Sequence, residues 1–375
     1  MTSSASSSRI AVVLFNLGGP DSPQAIAPFL FNLFNDPAII GLPSPFRTLL
    51  AALISRRRAP EARKIYEFLG GASPLVPNTR VQAEALERAL QQRLPDGNLR
   101  CFLAMRYWHP RAAAAAAEIR AWGADRIVLL PLYPQFSTTT TGSSLKEWAK
   151  VARRAGLAAP VSAVCCYPRL PGLAAATAAL LRDKLAELTP DQRARCRVLF
   201  SAHGLPKKIV AKGDPYAWQV EQTAAGIVRI LGPEMPDWRV SYQSRVGPLE
   251  WIRPYTEDEI RQAGEEGRPL VVVPVAFVSE HSETLVELDI EYRELAAAHG
   301  VPVYLRVPAP AAAPVFMEGL ADMVVSLLAQ PPRAGGDAAL CSAEGGRLCP
   351  AGHGACPLPM VANGGNPALA DSANV

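Results

Sequence analysis

A segment long enough to cross a membrane is missing from this sequence of 375 residues. Its longest apolar runs, around residues 127–132 and 270–278, are far shorter than the roughly 20 apolar residues of a transmembrane helix. Residues 1–8 are rich in serine and carry no basic stretch or cleavage site, so no secretory signal peptide is predicted. We therefore expect a cytoplasmic protein that, where it meets a membrane, lies on its inner surface.

The sequence also has little excess charge and no disulfide framework. Its formal net charge is +4, which is too small to indicate nucleic-acid binding, because proteins that bind nucleic acids carry clustered basic faces. Its seven cysteines are odd in number and scattered, unlike the cysteine pattern of a small secreted domain. We expect a reducing compartment and no nucleic-acid partner.

Short runs of Val, Ile, Leu and Phe indicate buried β-strands. Each run leads through Gly, Pro, Ser or Thr into a helix-like stretch, and the runs are residues 10–15, 127–132, 198–200 and 270–278. Continuous apolar strands that alternate with helices are typical of parallel sheets covered on both faces. The sequence therefore predicts an α/β fold.

The runs form two related pairs. VLFNLGGP at 13–20 is similar to VLFSAHGLP at 198–206, and residues 127–137 repeat the pattern of residues 270–279. We interpret these pairs as two α/β halves of similar design, although strand-turn motifs also resemble one another by coincidence. The halves meet near residues 165–175, where YPRLPG interrupts the pattern.

Three regions follow from this division. We predict a first lobe over residues 9–168, a second lobe over 169–330 and a tail over 331–375. The tail is rich in Gly, Ala, Pro and Cys and has no periodic apolar face. We expect it to be mobile, or held by something other than a core of its own.

His203 stands where one of the predicted strands ends. Ligands of open α/β sheets collect beyond the carboxyl ends of the strands. Gly204 and Pro206 force a turn after the histidine, which would leave its imidazole at the rim of a crevice. The alternative is a structural histidine that stabilises the turn.

Three glutamates recur at every fourth residue after another strand. Glu283, Glu287 and Glu291 would line one face of a helix for which Ser279 is a suitable N-cap. Another face would be apolar, with Leu285, Leu288, Tyr292 and Leu295. An ordinary amphipathic helix with a solvated acidic side explains this pattern. Mutual repulsion would also raise the pKa values of the carboxylates and suit them to carry protons along a cleft.

A hydroxyl-rich loop at 137–144 follows the strand at 127–132. Such a loop could hold an anion at a helix N-terminus. It matches neither the Walker spacing nor the G-x-G-x-x-G pattern, and the Gly-rich segment at 18–20 does not either. These segments therefore give little support to nucleotide binding.

In order along the chain, these segments resemble the ferrochelatase family over residues 10–330. The motifs that carry the resemblance are NLGGP at 16–20, GGASP at 70–74, RYWHP at 106–110, YPQ at 133–135 with TGSS at 141–144, SAHGLP at 201–206, YQSRVGP at 242–248, and SEH at 279–281 with ETL at 283–285. The resemblance implies two Rossmann-like lobes, each a parallel sheet flanked by helices, with a porphyrin cleft between them. It implies a lyase that inserts Fe²⁺ into protoporphyrin IX to form protohaem, the last step of haem biosynthesis.

The resemblance also implies roles for single residues. His203 would accept the pyrrole protons, bind the metal, or do both, and Glu283 would be its catalytic and metal-binding partner. Glu287 and Glu291 would form a conduit for protons or metal. The residues that would contact the porphyrin are Tyr133 and Trp251 as apolar walls, and Arg106 and Ser144 at the propionates.

An apolar segment at 29–54 contains Arg47 and precedes Arg56, Arg57 and Arg58. The resemblance implies that the region of about 29–58 forms an apolar lip that rests on a membrane, which suits apolar residues flanked by arginines. The alternative is a pair of core helices.

Three cysteines lie in the tail: Cys341, Cys349 and Cys356. The tail is similar to the extensions that hold a [2Fe–2S] cluster in some ferrochelatases, although Gly352 and His353 stand where a further cysteine would be expected. Such a cluster needs four thiolates. The fourth would come from Cys101, Cys165, Cys166 or Cys196. The alternative is a tail with incidental thiols.

Two other functions remain compatible with the sequence. One is a chelatase for another tetrapyrrole or metal, such as coproporphyrin III or cobalt. The other is a non-catalytic haem or metal carrier, which would require strong axial ligands and no series of carboxylates, whereas a chelatase must release its product. The sequence does not decide the oligomeric state.

Overall fold

Two parallel β-sheets form the framework of the chain, which the computed structural model describes over residues 8–330 and 338–359. The strands are β1 (Arg9–Asn16), β2 (Asn98–Met105), β3 (Arg126–Pro131), β4 (Val161–Cys166), β5 (Arg197–His203), β6 (Asp237–Gln243), β7 (Leu270–Pro274), β8 (Tyr304–Arg306) and β9 (Ala339–Ser342). The first sheet has the order β2-β1-β3-β4-β9 and the second has the order β6-β5-β7-β8. All these pairings are parallel.

Helices connect the strands and cover the sheets. The α-helices are α1 (Ile26–Phe34), α2 (Ser44–Glu67), α3 (Leu75–Arg93), α4 (Ala112–Trp122), α5 (Thr141–Arg154), α6 (Pro171–Ala186), α7 (Pro190–Arg195), α8 (Lys207–Val210), α9 (Tyr216–Leu231), α10 (Thr256–Glu265), α11 (Tyr292–Ala298) and α12 (Pro314–Leu328). Short 3₁₀ helices span Pro23–Ala25 and Gly232–Glu234, and a π-helix spans Glu283–Glu291. The predicted α/β class, with two parallel sheets flanked by helices, is confirmed.

The four strands predicted from apolar runs are the central strands β1, β3, β5 and β7. In β1, Val12 and Leu14 pack on one side of the sheet while Val13 and Phe15 pack on the other, which explains the unbroken apolar run. The predicted run 270–278 is too long, because β7 ends at Pro274, a residue that has no N–H to donate. The flanking strands mix polar with apolar residues, as in DWRVSYQ of β6.

The last long helix returns to the first sheet. Helix α12 packs against α3 and α6, and its Phe316 and Leu320 lie fully buried in the same apolar cluster as Val12 and Leu14 of β1. The second half of the chain therefore contributes to the core on the first sheet. The division at residues 168 and 330 stays a prediction.

Part of the predicted tail is bound to the first sheet. Strand β9 pairs with β4, and Cys341 of β9 is buried in the apolar cluster that contains Val164 of β4. The remaining segments of the tail, 331–337 and 360–375, lie outside the described residues. Within the described part of the chain, no helix is long and apolar enough to cross a bilayer.

Candidate active site

His203 and Glu283 face each other from two elements of the second half. His203 ends β5, and Glu283 begins the π-helix that follows β7. The Nδ1 atom of His203 lies 3.1 Å from Oε2 of Glu283. The two side chains are 36% and 30% exposed, so both remain open to a ligand.

The pair perturbs the protonation of both partners. Desolvation lowers the pKa of the His203 imidazole, but the charge and the hydrogen bond of Glu283 outweigh it and raise the pKa above its usual value. Desolvation raises the pKa of Glu283, but the imidazoles of His203 and His281 lower it to about 2. Glu283 is therefore an anion at neutral pH.

The glutamates lie on a π-helix and not on the predicted α-helix. The predicted N-cap, Ser279, donates instead to Gln82 Oε1 at 2.7 Å, and the helix starts only after Ser282. A π-helix closes i→i+5 hydrogen bonds, so residues four apart no longer repeat at the α-helical angle. Glu291 accordingly reaches the exposed surface.

Glu287 is bound by three polar side chains. Its carboxylate accepts hydrogen bonds from Gln243 Nε2 at 3.1 Å, from Tyr292 Oη at 3.1 Å and from the Ser244 hydroxyl. Burial and then the charge of Glu283 raise the pKa of Glu287 to about 7, against the lowering effect of Ser244. Glu287 can therefore gain or lose a proton near neutral pH.

Ser244 adopts a strained backbone conformation beside this carboxylate. Its φ is +61°, a region that residues other than glycine enter at a cost of about 1–3 kcal/mol. The sequence motif at 242–248 contains both Gln243 and Ser244, but nothing in its pattern identifies their contact with Glu287.

Glu291 lies at the outer end of the glutamate series. Although Glu291 is exposed, partial desolvation raises its pKa, and so do the charges of Glu294 and of Glu61 on α2. Glu61 lies on α2 just beyond the predicted lip, which ends at about residue 58, so an acidic side chain of that helix lies near the outer end of the series.

Two further residues, to which no role is assigned from the sequence, approach Glu283. Tyr66 of α2 is buried; desolvation raises its pKa to about 12, with a lowering effect from Ser282 and a raising effect from Glu283. The Nδ1 atom of His281 accepts a hydrogen bond from the Glu283 N–H at 3.0 Å. Desolvation lowers the pKa of His281 and favours its neutral form.

Trp251 packs against His203. Its ring lies edge-on to the His203 imidazole, with ring centroids 6.1 Å apart and an interplanar angle of 77°. The indole is buried and donates to the Val246 carbonyl at 3.1 Å, which fixes its orientation. The predicted porphyrin wall Trp251 is thus next to His203.

Arg106 is already engaged by protein groups. Its guanidinium contacts Asp36 at 2.7 Å and Glu147 at 3.1 Å, and donates to the Ser143 hydroxyl at 2.8 Å. In the same loop region, the hydroxyls of Ser144 and Tyr133 are buried and have no hydrogen-bond partner among the described residues. The hydroxyl of Ser144, predicted at a propionate, lies near that of Tyr133, predicted as an apolar wall. The predicted propionate contact Arg106 is neutralised by carboxylates.

Comparison with known proteins assigns the chain. The ferrochelatase family model matches residues 9–328. A ferrochelatase of Phenylobacterium zucineum is 54% identical over 348 residues, which are 93% of this chain and 97% of that protein. A ferrochelatase of Caulobacter vibrioides is 53% identical over 324 residues, or 86% of this chain and 92% of that protein. The chain belongs to the ferrochelatase family.

A solved structure, SirB from Bacillus subtilis with Fe³⁺, aligns with a TM-score of 0.48 and 12% identity. The alignment covers 86% of this chain and 96% of that one. Membership of the ferrochelatase family makes the chain a lyase that inserts ferrous iron into a porphyrin, in haem biosynthesis.

Nowhere in residues 8–330 and 338–359 do three His, Cys, Asp or Glu side chains form a group that could hold a single metal ion. His203 and Glu283 are therefore a pair that belongs to no larger group of such side chains among these residues.

The cysteines of the ferrochelatase tail meet two cysteines of the first sheet. Cys349 and Cys356 share a buried apolar cluster with Cys165 and Cys166, whose sulfurs are 3.4 Å apart. Burial and then the charge of Cys166 raise the pKa of Cys341 to about 11, so Cys341 also lies near Cys166. The other two candidates lie elsewhere: Cys101 in β2, next to Glu87, and Cys196 in the core of the second sheet.

Proposed function

We propose that the enzyme inserts Fe²⁺ into protoporphyrin IX at the cleft residues His203 and Glu283. The observation that carries this proposal is the 3.1 Å contact between the His203 imidazole and the Glu283 carboxylate, both of which remain partly exposed. An anionic oxygen and a neutral imidazole are both ligands that Fe²⁺ accepts. Two such ligands can replace part of the hydration shell of the ion. Being only two, they do not keep the ion from passing on to the porphyrin.

Insertion exchanges one dication for two protons. The two pyrrole N–H bonds of the porphyrin break, four nitrogens bind Fe²⁺, and two protons leave. In its neutral form, the His203 imidazole can accept a pyrrole proton, and imidazoles are suited to this role near neutral pH. Glu283 stabilises the protonated imidazole and binds the incoming cation.

Glu287 is the next proton acceptor along the π-helix. Its pKa of about 7 lets it take a proton from the site and release it towards solvent. Glu291, with its exposed position, would complete the conduit at the surface. The raised pKa values of both groups support this direction of proton exit.

The porphyrin would be gripped by aromatic walls and held at its propionates by hydroxyls. Trp251 is rigidly oriented beside His203, and Tyr133 and Ser144 have hydroxyls that lack partners in the described structure. A buried donor without a partner costs free energy that a propionate oxygen would recover. Arg106 would contact a propionate only in exchange for Asp36 or Glu147.

We also propose peripheral contact of the enzyme with the cytoplasmic face of a membrane. Phe46, Leu49 and Leu53 of α2 are 68%, 74% and 64% exposed, and Arg56, Arg57 and Arg58 follow on the same helix. Exposed apolar side chains flanked by arginines suit an anionic lipid surface.

Vesicle flotation with phosphatidylserine-containing liposomes tests this contact. We expect Leu49→Ser with Leu53→Ser to release the enzyme from the vesicles, because the pair supplies much of the exposed apolar area. Val81→Ser is the matched control, since Val81 is 54% exposed on another helix. Equal flotation of the double variant and the wild type would contradict the proposed contact of the lip with the membrane.

The thiols of the tail, together with one cysteine of the first sheet, supply the number of thiolate ligands that a [2Fe–2S] cluster needs, although no three of them already form a metal-binding group in the described residues. Cys166, Cys341, Cys349 and Cys356 are all buried. Cys166 raises the pKa values of Cys341 and Cys349, and Cys356 raises those of Cys166 and Cys349. A hydrogen bond from Cys349 lowers the pKa of Cys356 to about 6, which favours its thiolate. We propose these four cysteines as the ligands.

Anaerobic assays of iron insertion test the role of His203. We expect His203→Ala to lower turnover at least roughly 100-fold, the lower bound for a general acid–base group, while the variant still binds porphyrin. The loss of free-porphyrin fluorescence reports insertion with Fe²⁺ and protoporphyrin IX. Parallel assays with Co²⁺ and with coproporphyrin III establish which metal and tetrapyrrole are preferred.

His299→Ala is the matched control, because His299 is exposed at the end of α11. Turnover of His203→Ala above about one tenth of the wild-type value would remove His203 from the proposed role, since that loss is far below the general-base contribution. Binding of haem without any metal insertion by the wild type would support a carrier instead.

A further inference from the structure

A buried arginine outside the His203–Glu283 pair links both ends of the π-helix. Arg306 is the last residue of β8, and its side chain is 10% exposed. Its Nη1 donates to both carboxylate oxygens of Glu280, at 2.9 and 3.2 Å, just ahead of the helix. Its Nε lies 3.2 Å from Oδ2 of Asp289, in the last turns of the helix, as an ion pair without hydrogen-bond alignment. One guanidinium therefore holds two carboxylates that belong to opposite ends of this segment.

Glu280 passes this contact on to the turn that presents Glu283. Its carboxylate accepts hydrogen bonds from the Ala309 N–H at 2.9 Å and from the hydroxyl of Thr284. The Thr284 hydroxyl oxygen in turn accepts from the His281 N–H at 3.0 Å. The start of the helix is thus fixed by a chain of hydrogen bonds that begins at the arginine.

The π-helix requires such support. Its i→i+5 hydrogen bonds are rarely sustained beyond a single turn, and here they extend over Glu283–Glu291. Strand β8 supplies a second tie, because the Tyr304 hydroxyl donates to the Leu288 carbonyl at 2.6 Å. A return to the α-helix would tighten each turn by about one residue and would rotate Glu287 relative to Glu283.

We propose that Arg306 is a positioning residue for iron insertion, which holds the π-helix in the register that sets Glu283 against His203 and Glu287 against Ser244. The proposal rests on the roles given above to His203 and Glu283. The planar fork of arginine reaches two carboxylates at once, which a lysine ammonium, as a single point charge, does not. The fork, and not only the positive charge, is what the register depends on.

Arg306→Lys separates these two properties. Lysine retains a positive charge opposite the partly buried Glu280, so we expect a melting temperature near that of the wild type. We expect kcat for iron insertion to fall about tenfold with the KM for porphyrin changed less than about twofold, as for a group that acts only on the reaction step. Amide hydrogen exchange across residues 287–292 should become faster, because the helix opens more often. Arg306→Gln should lower both kcat and the melting temperature.

Arg293→Gln is the matched control. Arg293 also pairs with Asp289, but its side chain is 49% exposed and it does not bridge to Glu280. We expect this variant to retain wild-type kcat. A wild-type kcat in Arg306→Lys, or an equal loss in Arg293→Gln, would overturn the proposal. If His203→Ala keeps its turnover, the roles proposed for His203 and Glu283 are wrong. That outcome differs from a wild-type kcat in Arg306→Lys, which would contradict only the positioning role of Arg306.

Discussion

Two carboxylates on one short helix have very different proton affinities. Glu283 has a pKa of about 2, because the imidazoles beside it outweigh desolvation. Glu287 has a pKa of about 7, because burial and the charge of Glu283 act in the same direction. Titratable neighbours whose environments separate their pKa values divide acid and base work between them. Here Glu283 is suited to hold a cation and Glu287 to exchange protons.

The same electrostatics predict a shift in pH dependence. Glu283→Gln removes the negative charge that raises the pKa of His203. The imidazole must be neutral to accept a proton, so activity is lost as pH falls through its pKa. A lower pKa therefore moves the acid limb of kcat/KM to lower pH, even though kcat also falls. The measurement is the pH profile of kcat/KM under anaerobic conditions, with Glu294→Gln as the exposed control. An acid limb that stays in place or moves to higher pH would contradict the proposed pairing.

Some of the site residues could be predicted from the sequence, and others could not. His203 stands at the end of a clear apolar strand, and Glu283 lies in a motif that the family resemblance picks out. Tyr66 and Arg306 reach the region from α2 and β8, which are distant in sequence. The contribution of these two residues to the site depends on how the helices and strands pack against one another, and the pattern of a single sequence does not contain that information.

The π-helix shows the same limit at the scale of an element. A spacing of four residues between Glu283, Glu287 and Glu291 fits an α-helical face, and that was the prediction. The local sequence carries no signal for i→i+5 bonding, which is supported by contacts from β8. The spacing predicts a helix at the right place in the chain. It does not predict that the helix is a π-helix or that Glu291 reaches the surface.

The π-helix predicts unequal effects of two glutamate substitutions. Glu287→Gln keeps the shape of the side chain but removes its proton exchange. We expect kcat to fall about tenfold, less than the roughly 100-fold or more of a general acid–base group that acts on the substrate itself, because Glu287 only relays the proton. Glu291→Gln should lower kcat less, because Glu291 is exposed and water can take over its proton. Steady-state kinetics and thermal melts of both variants check this. Unchanged kcat in Glu287→Gln across the pH range would exclude the conduit.

At the scale of the molecule, the tail connects the two sheets. Strand β9 pairs with β4 of the first sheet, and the Ala355 N–H donates to the Gly213 carbonyl, in the second half, at 3.1 Å. The sequence indicated that the tail has no periodic apolar face, and a strand as short as Ala339–Ser342 has too few residues to reveal a period. One guanidinium closes the loop that follows: Arg347 donates to the carbonyls of Cys349, Pro350, His353 and Leu358.

This connection brings the tail thiols to the first sheet and predicts which cysteine completes the cluster. Gln219 of α9 donates to Sγ of Cys349 at 3.1 Å, so groups of the second half also fix the thiol positions. Because the cluster requires four thiolates, removing one should abolish it and loosen the tail that it anchors. We expect Cys166→Ser to lose the visible absorption and inorganic sulfide that wild-type enzyme retains when purified without oxygen.

The control for this experiment is Cys101→Ser, because Cys101 lies in β2, away from the tail thiols. It should stay coloured and retain its sulfide, while Cys166→Ser should also melt at a lower temperature, since the cluster no longer links the tail to β4. Loss of colour in Cys165→Ser, with colour retained in Cys166→Ser, would move the fourth ligand one residue along the strand. A colourless and fully active wild-type preparation without sulfide would leave the buried thiols as packing groups, held together by β9 and Arg347 alone.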